Sequence, residues 1–303
     1  MSRLPQSLSQ AYTAQNATAT EAERQEAFKI YEQASERWNR SSIGIPVHPD
    51  HETRASLIHN EHVKFSAAEV KAAFAAARMH GVTITTMFFA CMTAGIKTRY
   101  SDGSEDGAHL VFSGNGQRWL DIRASESQAP VGMSIMPGAL WLDRADVDGA
   151  ENTPRGIFEM ARKIQALQNQ DLVSKHIIAV YDELAPTAFQ ATMESRHRPP
   201  AVPRVSRPTL TSQGDFSKQK PVTKLRNGTS AFTAKLVHFR SGGRNTDPSV
   251  CFALYSFQGD MRCNLLFDER FFDRKDISGL MEDIMTLFRR AAFSGQDNAL
   301  AKI

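Results

Sequence analysis

The sequence has too few cysteines, too little net charge and too short apolar runs for several large classes of protein. Its three cysteines, Cys91, Cys251 and Cys263, are an odd number without close spacing, which argues against a disulfide framework or a zinc site. The 36 Lys and Arg exceed the 33 Asp and Glu by only three, and no basic stripe alternates with aromatic residues, so we expect no nucleic-acid partner. No apolar run approaches the ~20 residues that span a bilayer, so we expect no membrane partner.

What the sequence does contain is typical of a folded protein in a reducing compartment. Hydrophobic residues make up 41% and charged residues 23% of the chain, which are ordinary proportions for a globular domain. The cysteines lie in apolar surroundings, as buried free thiols do. The polar stretch 1–18 has no apolar core and is therefore no secretory signal. We predict a cytoplasmic protein.

Helices and strands alternate irregularly, which predicts an α/β (α+β) protein with a mixed β-sheet flanked by helices. Ser66-Ala67-Ala68-Glu69 predicts a capping box at the start of a helix that directs Val70, Phe74 and Ala77 inward. A strand that includes Leu57 precedes this helix, and a second helix begins at Thr83.

The later part of the chain adds further elements. A short strand at 109–112 is followed by a predicted turn at 113–116. A helix starts at Pro154 and runs to about Lys175. Gly259-Asp260 predicts a hairpin turn between the last two strands, and a final helix over 276–292 is predicted to bury one apolar face.

The order of these elements resembles a known superfamily. A strand leads into the Ser-capped helix, then into the turn Gly81-Val82-Thr83-Ile84-Thr85, then into an Ala-rich helix and another strand. Segments 115–123, 208–215 and 265–267 also resemble parts of the pattern. Over roughly residues 25–293 the chain is similar to the C-terminal half of CoA-dependent acyltransferases of the condensation-domain superfamily, which include fungal alcohol and trichothecene O-acetyltransferases.

The resemblance implies a domain organisation and a fold. Residues 57–293 correspond to one chloramphenicol-acetyltransferase-like half-domain. Residues 1–56 are expected to be a lead-in and a helix that cap it, and residues 294–303 a tail. In the superfamily two such halves pack side by side and form a tunnel between them.

The histidine motif of the superfamily is missing from this sequence. The general base in these enzymes is a histidine of the motif His-His-x-x-x-Asp-Gly in the N-terminal half, and none of the nine histidines here precedes Asp and Gly at that spacing. Asp215-Phe216 is also followed by Ser217, where the plant branch has Gly. Because a positioned base contributes ~10²–10⁴-fold to such a step, we do not expect acyl transfer by the usual route from this chain by itself.

The apolar run 130–142 is a candidate wall of a pocket or an interface, and a plain core strand is the alternative interpretation. We predict Met133, Ile135, Met136 and Trp141 as substrate-binding residues, because Met-rich apolar walls suit a hydrophobic small molecule.

A reaction that needs no strong base fits the missing motif and the superfamily's setting in fungal specialised metabolism. An isomerising cyclisation, for example a pericyclic one of the Diels–Alder type, gains chiefly from holding a flexible substrate folded, and a hydrogen bond to an activating carbonyl adds to the effect. Candidate catalytic residues are Arg118, His176, Tyr181 and Asp182, with no cofactor. Alternatively His176 is a core or capping histidine and Arg118 a surface packing partner of Trp119.

Two other functions stay open at this point. The chain could be an acyltransferase half that a partner chain completes in trans with the catalytic histidine. It could also be a catalytically inactive protein that binds a substrate or serves as a scaffold. An apolar face that normally meets a second half would be covered by a cap, by a homodimer or by an acyltransferase-like partner.

Overall fold

The computed structural model describes residues 20–38, 40–115, 135–149, 152–171, 186, 205–216, 222–227, 230–235, 243 and 247–294. The helices in these ranges are α1 (Glu21–Trp38), α2 (Ala67–Met79), α3 (Ile84–Tyr100), α4 (Arg144–Asp148), α5 (Pro154–Asp171) and α6 (Arg274–Phe293). The strands are β1 (Ser42–Ile43), β2 (Ile45–Pro46), β3 (Ile58–Phe65), β4 (Gly107–Asn115), β5 (Ile135–Asp143), β6 (Val205–Ser206), β7 (Thr209–Asp215), β8 (Val222–Asn227), β9 (Ser230–Lys235), β10 (Cys251–Phe257) and β11 (Asp260–Asp268).

A mixed seven-stranded sheet forms the centre of the fold, with the order β1-β4-β7-β10-β11-β3 and with β5 on β4. β5 pairs antiparallel with all nine residues of β4, so β1 and β7 share the other edge of β4 at different positions. β7 runs parallel to β4 and β10, whereas β11 runs antiparallel to β10 and β3. The predicted mixed sheet flanked by helices is confirmed.

The hydrophobic core lies between this sheet and a layer of helices. α3 is the central helix, because 11 of its 17 residues are buried. The ring of Phe88 on α3 meets Phe252 of β10 at 6.3 Å and Phe288 of α6 at 5.7 Å, centroid to centroid. Gly95 allows α3 to approach α6 closely, since a Cβ there would lie 2.8 Å from Ile284.

None of the helices in the described ranges is by itself long and apolar enough to cross a membrane. α2 and α3 pass a test of length and composition only as a pair, and a bend of 96° separates them.

The predicted capping box is confirmed, but the inward face of its helix is shifted. The Glu69 amide donates to Ser66 Oγ at 3.2 Å, and the Ser66 amide donates to Glu69 Oε2 at 2.6 Å. Phe74 is 49% exposed, so its predicted inward position is wrong. The buried stripe consists of small side chains that let α2 pack tightly, namely Ala72, Ala73, Ala76 and Ala77.

Two turns predicted from the sequence differ from the structure. β4 continues to Asn115, through the turn that the sequence predicts at 113–116, because β5 supplies backbone partners for its last residues. The hairpin between β10 and β11 turns at Gln258 and Gly259, whose φ angles are 53° and 83°. Asp260 already pairs with Phe257, so the predicted turn is wrong by one residue.

The remaining boundaries agree closely with the prediction. α5 starts at Pro154, as predicted, and spans Pro154–Asp171 in the described residues; its predicted end near Lys175 lies outside them. α6 buries the predicted face, which comprises Ile277, Leu280, Ile284, Leu287, Phe288 and Ala291. Leu57 lies outside β3 and is 55% exposed. All three cysteines are free thiols, and burial raises the pKa of Cys91 and Cys263.

Candidate active-site crevice

A crevice of about 360 Å³ lies where α3 begins, between α5 and the strands β4 and β7. This volume is at the lower end of the range of small-molecule sites. Five hydroxyl, three amide and two apolar side chains line it: Thr83, Thr85, Thr86, Ser113 and Ser212; Gln165, Gln168 and Asn169; and Phe112 and Leu210. None of these ten side chains is ionisable, so the crevice acts through hydrogen bonds and shape.

The first turn of α3 is held by a threonine pair. The Thr86 amide donates to Thr83 Oγ1 at 3.1 Å, and the Thr83 amide donates to Thr86 Oγ1 at 3.1 Å. This reciprocal cap satisfies amides that a helix start leaves without partners. It therefore fixes the direction in which the N-terminus of α3 meets the crevice.

Gln165 of α5 ties the same turn to a second helix. Its Oε1 accepts from the Thr83 amide at 2.9 Å, and its Nε2 donates to the Gly81 carbonyl at 3.1 Å. One side chain thus satisfies a donor and an acceptor of the turn between α2 and α3. The side chain fixes the distance between α5 and α3, and with it the width of the crevice.

A hydroxyl pair closes the crevice toward the sheet. Thr85 Oγ1 lies 3.0 Å from Ser212 Oγ on β7. One of these two hydroxyls donates its proton to the other, which leaves the second proton available to a ligand. β7 bulges directly after Ser212, where the pairing with β10 skips Gln213 and Gly214 adopts a φ of 75°; such bulges re-aim side chains.

The apolar part of the crevice depends on a glycine in the neighbouring strand. Phe112 of β4 is paired with Gly138 of β5. A Cβ at Gly138 would come within 2.2 Å of the Phe112 ring, which is closer than any atom contact allows. The ring therefore lies across the Gly138 backbone, and this position presents Phe112 to the crevice beside Leu210.

The arrangement can bind a carbonyl or hydroxyl group and hold an apolar skeleton. The N-terminal end of a helix carries a partial positive charge of about half an elementary charge. Together with a free hydroxyl proton it stabilises negative charge that develops on an oxygen. No group of three or more metal-ligating side chains is present among the residues that the structure describes.

The sequence-predicted site residues fall into two groups. Arg118, Met133, His176, Tyr181 and Asp182 lie outside the described residues. The backbones of Ile135 and Met136 pair with Asn115 and Gly114 at the end of β4, the strand that brings Phe112 and Ser113 to the crevice.

Trp141 is buried near the other end of β5. Its indole N–H donates to Asp143 Oδ1 at 2.8 Å, and the Arg40 guanidinium lies 4.2 Å above its ring. Trp141 is not among the residues that line the crevice. The apolar run thus contributes a sheet strand over the part that the structure describes.

Sequence reasoning missed the residues that build the crevice. Thr83 and Thr85 belong to the motif that supports the resemblance, and Ser212 belongs to the segment 208–215, but neither segment was given a role in the site. The one local signal was the pattern Thr-x-x-Thr at 83–86, a variant of the capping box. Gln165 carries no signal in the sequence, because its role depends on the contact between α5 and α3.

A second cavity, of about 520 Å³, lies at the other end of α5 and is charged. Its wall contains the ring of His80, stacked on Phe158 with 3.8 Å between the ring centroids. Arg155 pairs with Glu159 at 2.9 Å beside it. Burial, and then the Arg162 charge, lower the pKa of His80.

Comparisons with known proteins agree with this description. No family model matches the chain. The acyl-CoA-dependent acyltransferase MAC2 of Pseudozyma antarctica (strain T-34) is 26% identical over an alignment of 263 residues, and the match covers 76% of this chain and 47% of the relative.

Solved structures show the same fold at low identity. Trichothecene 15-O-acetyltransferase TRI3 of Fusarium sporotrichioides superposes with a TM-score of 0.66 at 16% identity, over 90% of this chain and 54% of that protein. The epimerization domain from the third module of tyrocidine synthetase B gives a TM-score of 0.55 at 10% identity, over 94% of this chain and 57% of that domain. The chain thus spans about half the length of the proteins it matches. It has the fold of the superfamily that includes CoA-dependent acyltransferases and condensation domains, and the resemblance drawn from its motifs is confirmed.

Proposed function

We propose that the chain binds a hydrophobic small molecule of fungal specialised metabolism and promotes its isomerising cyclisation, of a pericyclic Diels–Alder type, without acylating it. The observation that carries this proposal is the uncharged crevice, where hydroxyl and amide groups converge from α3, α5 and β7 on an apolar floor. A cyclisation of this kind needs a folded substrate and one hydrogen bond to an activating carbonyl, and it needs no base.

The hydroxyl pair of Thr85 and Ser212 is our candidate for that hydrogen bond. It lies at the N-terminus of α3 and is held in place by the Thr83 cap and by Gln165. Phe112 and Leu210 are proposed to hold the apolar skeleton. The residues predicted from the sequence remain part of the proposal: Met133, Ile135, Met136 and Trp141 for binding, and Arg118, His176, Tyr181 and Asp182 for catalysis.

The first experiment is deletion of the gene in its source organism and measurement of the mass of the metabolite that accumulates. An intermediate with the mass of the wild-type product supports isomerisation. An intermediate lighter by one acyl group contradicts it.

The second experiment uses the purified chain and the accumulated metabolite. We expect Thr85→Val to slow conversion by about 10²-fold, the scale seen when one donor to a developing oxyanion is removed. Thr98→Val is the matched control on the same helix, because the Thr98 hydroxyl donates to the Ala94 carbonyl away from the crevice. Equal rates for Thr85→Val and wild type would exclude the crevice, and binding without conversion would identify a binding protein.

A second candidate function rests on the relative with 26% identity, whose name is that of an acyl-CoA-dependent acyltransferase. Because this chain spans 47% of that relative, the alternative is an acyltransferase half that a second chain completes with the catalytic histidine. Its signature is the accumulated metabolite that lacks an acyl group, together with activity that appears only when the partner chain is added.

A further inference from the structure

A row of four residues crosses the sheet beneath the crevice. Gly138 of β5 is opposite Phe112 of β4, and Phe112 is beside Leu210 of β7. Leu210 is in turn beside Phe252 of β10. Because the ring of Phe252 packs against Phe88 of α3, the row lies on the face of the sheet that the helices cover. Three of its positions carry a large apolar side chain, and the position on β5 carries none.

The ring of Phe112 fills the gap that the glycine leaves. Phe112 is 5% exposed, and a Cβ at Gly138 would overlap the Cζ, Cε1 and Cε2 atoms of its ring. Leu110, two residues earlier on the same face, is buried, whereas two residues later the strand has Gly114, which has no side chain. A side chain at position 138 would therefore push the ring away from β5 and into the crevice.

The other walls of the crevice are tied to one another. Gln165 joins α5 to the first turn of α3, and Thr85 joins α3 to Ser212 of β7. The Phe112 ring is therefore the part of the wall whose position sets the depth of the crevice. The volume of about 360 Å³ holds about a dozen non-hydrogen atoms at ~30 Å³ for each water-sized group. That is enough for one ring with its carbonyl group, but not for two rings in line.

We propose that Phe112, seated on Gly138, determines the specificity of the crevice by limiting the apolar group beside the bound carbonyl to the size of one ring. The inference rests on the proposed function, because it takes the crevice as the binding site, and it adds the class of substrate. That class is an uncharged carbonyl compound with a ring-sized apolar group next to the carbonyl. A carboxylate would lose its hydration without gaining an ion pair, since no lining side chain is ionisable.

Three probes with one carbon skeleton in common test this class. Acetophenone has one ring, 4-acetylbiphenyl has a second ring in line, and benzoate has one ring with a carboxylate. Their dissociation constants are measured by titration of the wild-type chain, followed by ¹H–¹⁵N NMR. We expect acetophenone to bind at least about 10-fold more tightly than either of the others, with the largest shifts at the amides of Thr85 and Ser212.

Two variants are expected to change the preference in opposite directions. Phe112→Leu keeps an apolar residue in the row but shortens it, and we expect the ratio of the two ketone affinities to shift at least about 10-fold toward 4-acetylbiphenyl. Gly138→Ala pushes the ring into the crevice, so we expect acetophenone binding to weaken about 10-fold or more. Thr85→Val is the control, because loss of the carbonyl hydrogen bond should weaken both ketones by the same factor and leave their ratio unchanged.

The double variant Gly138→Ala with Phe112→Leu separates specificity from general damage to the sheet. Leucine lacks the three ring atoms that a Cβ at position 138 would overlap. We therefore expect the double variant to regain the acetophenone binding that Gly138→Ala loses, a non-additive effect that residues in contact show. The dispersion of the same NMR spectra shows whether each variant is folded.

Four results would overturn the inference. They are an unchanged ketone ratio in Phe112→Leu, a double variant that binds as weakly as Gly138→Ala, benzoate binding as tight as that of acetophenone, and no binding of acetophenone to wild-type protein. The gene-deletion experiment is independent of these titrations. An accumulated intermediate of unchanged mass together with any of the four results would support the cyclisation and exclude this assignment of its substrate.

Discussion

The two ends of α5 border two cavities with different chemistry. At its C-terminal half, Gln165, Gln168 and Asn169 line the crevice of about 360 Å³, where every lining side chain is uncharged. At its N-terminal end, Arg155, Glu159 and Arg162 line a larger cavity of about 520 Å³. The larger cavity has the charged groups and the histidine, yet the smaller one is the better candidate for a ligand site.

The difference lies in what holds each wall. Side chains from α3, α5 and β7 are joined across the crevice by hydrogen bonds between residues far apart in sequence, such as Thr85 with Ser212. The charged cavity has an ion pair within one helix, Arg155 with Glu159, in which the Arg155 side chain is 89% exposed. Exposed pairs of this kind contribute little. A site that must hold a substrate in one geometry requires the first type of wall.

The largest expected effect is a loss of stability at Phe158, and it tests whether this wall of the charged cavity belongs to the hydrophobic core. Phe158, which forms its floor, is 1% exposed. We expect Phe158→Ala to lower the free energy of unfolding by about 3–5 kcal/mol, because it leaves a cavity in the core. Denaturant-induced unfolding measures the change.

The control for this variant is Phe74→Ala on α2, since Phe74 is 49% exposed. We expect it to change the free energy of unfolding by less than about 1 kcal/mol. Similar losses for the two variants would mean that Phe158 is no more important to the core than an exposed phenylalanine.

A smaller effect on stability, with a larger effect on function, is expected at the crevice. Gln165→Leu leaves the Gly81 carbonyl without this partner and leaves the Thr83 amide with Thr86 Oγ1, and such a loss costs about 1–2 kcal/mol. The same change removes the hydrogen bonds that join the first turn of α3 to α5, so we expect conversion of the metabolite to fall more than stability does. Thermal unfolding and a conversion assay on the same preparation give both numbers.

Gln165→Glu separates the two bonds of this residue. The carboxylate still accepts from the Thr83 amide but no longer donates to the Gly81 carbonyl. We expect conversion to be retained better than in Gln165→Leu. If both variants convert the metabolite at the wild-type rate, Gln165 stabilises the contact between α5 and α3 but does not affect the function of the crevice.

The sequence predicts local structure around α5 better than it predicts contacts. Thr153 and Pro154 mark the start of the helix, and Ser66 with Glu69 mark the start of α2, because caps depend on residues three positions apart. The prediction for Phe74 is wrong, because four alanines form the buried stripe of α2. The position of a large apolar residue does not by itself show which side of the helix is buried. The end of β4 was missed because its partner, β5, begins 20 residues later in the chain.

The candidate site is less accessible to sequence reasoning than the fold. The predictions favoured charged and aromatic residues such as Arg118 and Trp141, which stand out by their chemistry. The crevice consists of threonine, serine and glutamine, which are common and acquire a role only through contacts such as that of Thr85 with Ser212, 127 positions apart.

The smallest expected effect is a difference between the two cavities in how stability depends on pH. Burial and the charge of Arg162 lower the pKa of His80 in the folded protein, so the unfolded chain binds a proton near pH 6.5 that the folded protein does not bind. The stability that depends on neutral His80 is therefore present above that pH and is lost as the pH falls below it. We expect the midpoint of thermal unfolding to drop less between pH 7.5 and pH 5.5 in His80→Gln than in wild type, with Arg162→Ala between the two.

Because the crevice lining contains no ionisable side chain, Thr85→Val should keep the wild-type pH dependence. Equal slopes for His80→Gln and wild type would show that the charged cavity leaves His80 free to bind a proton.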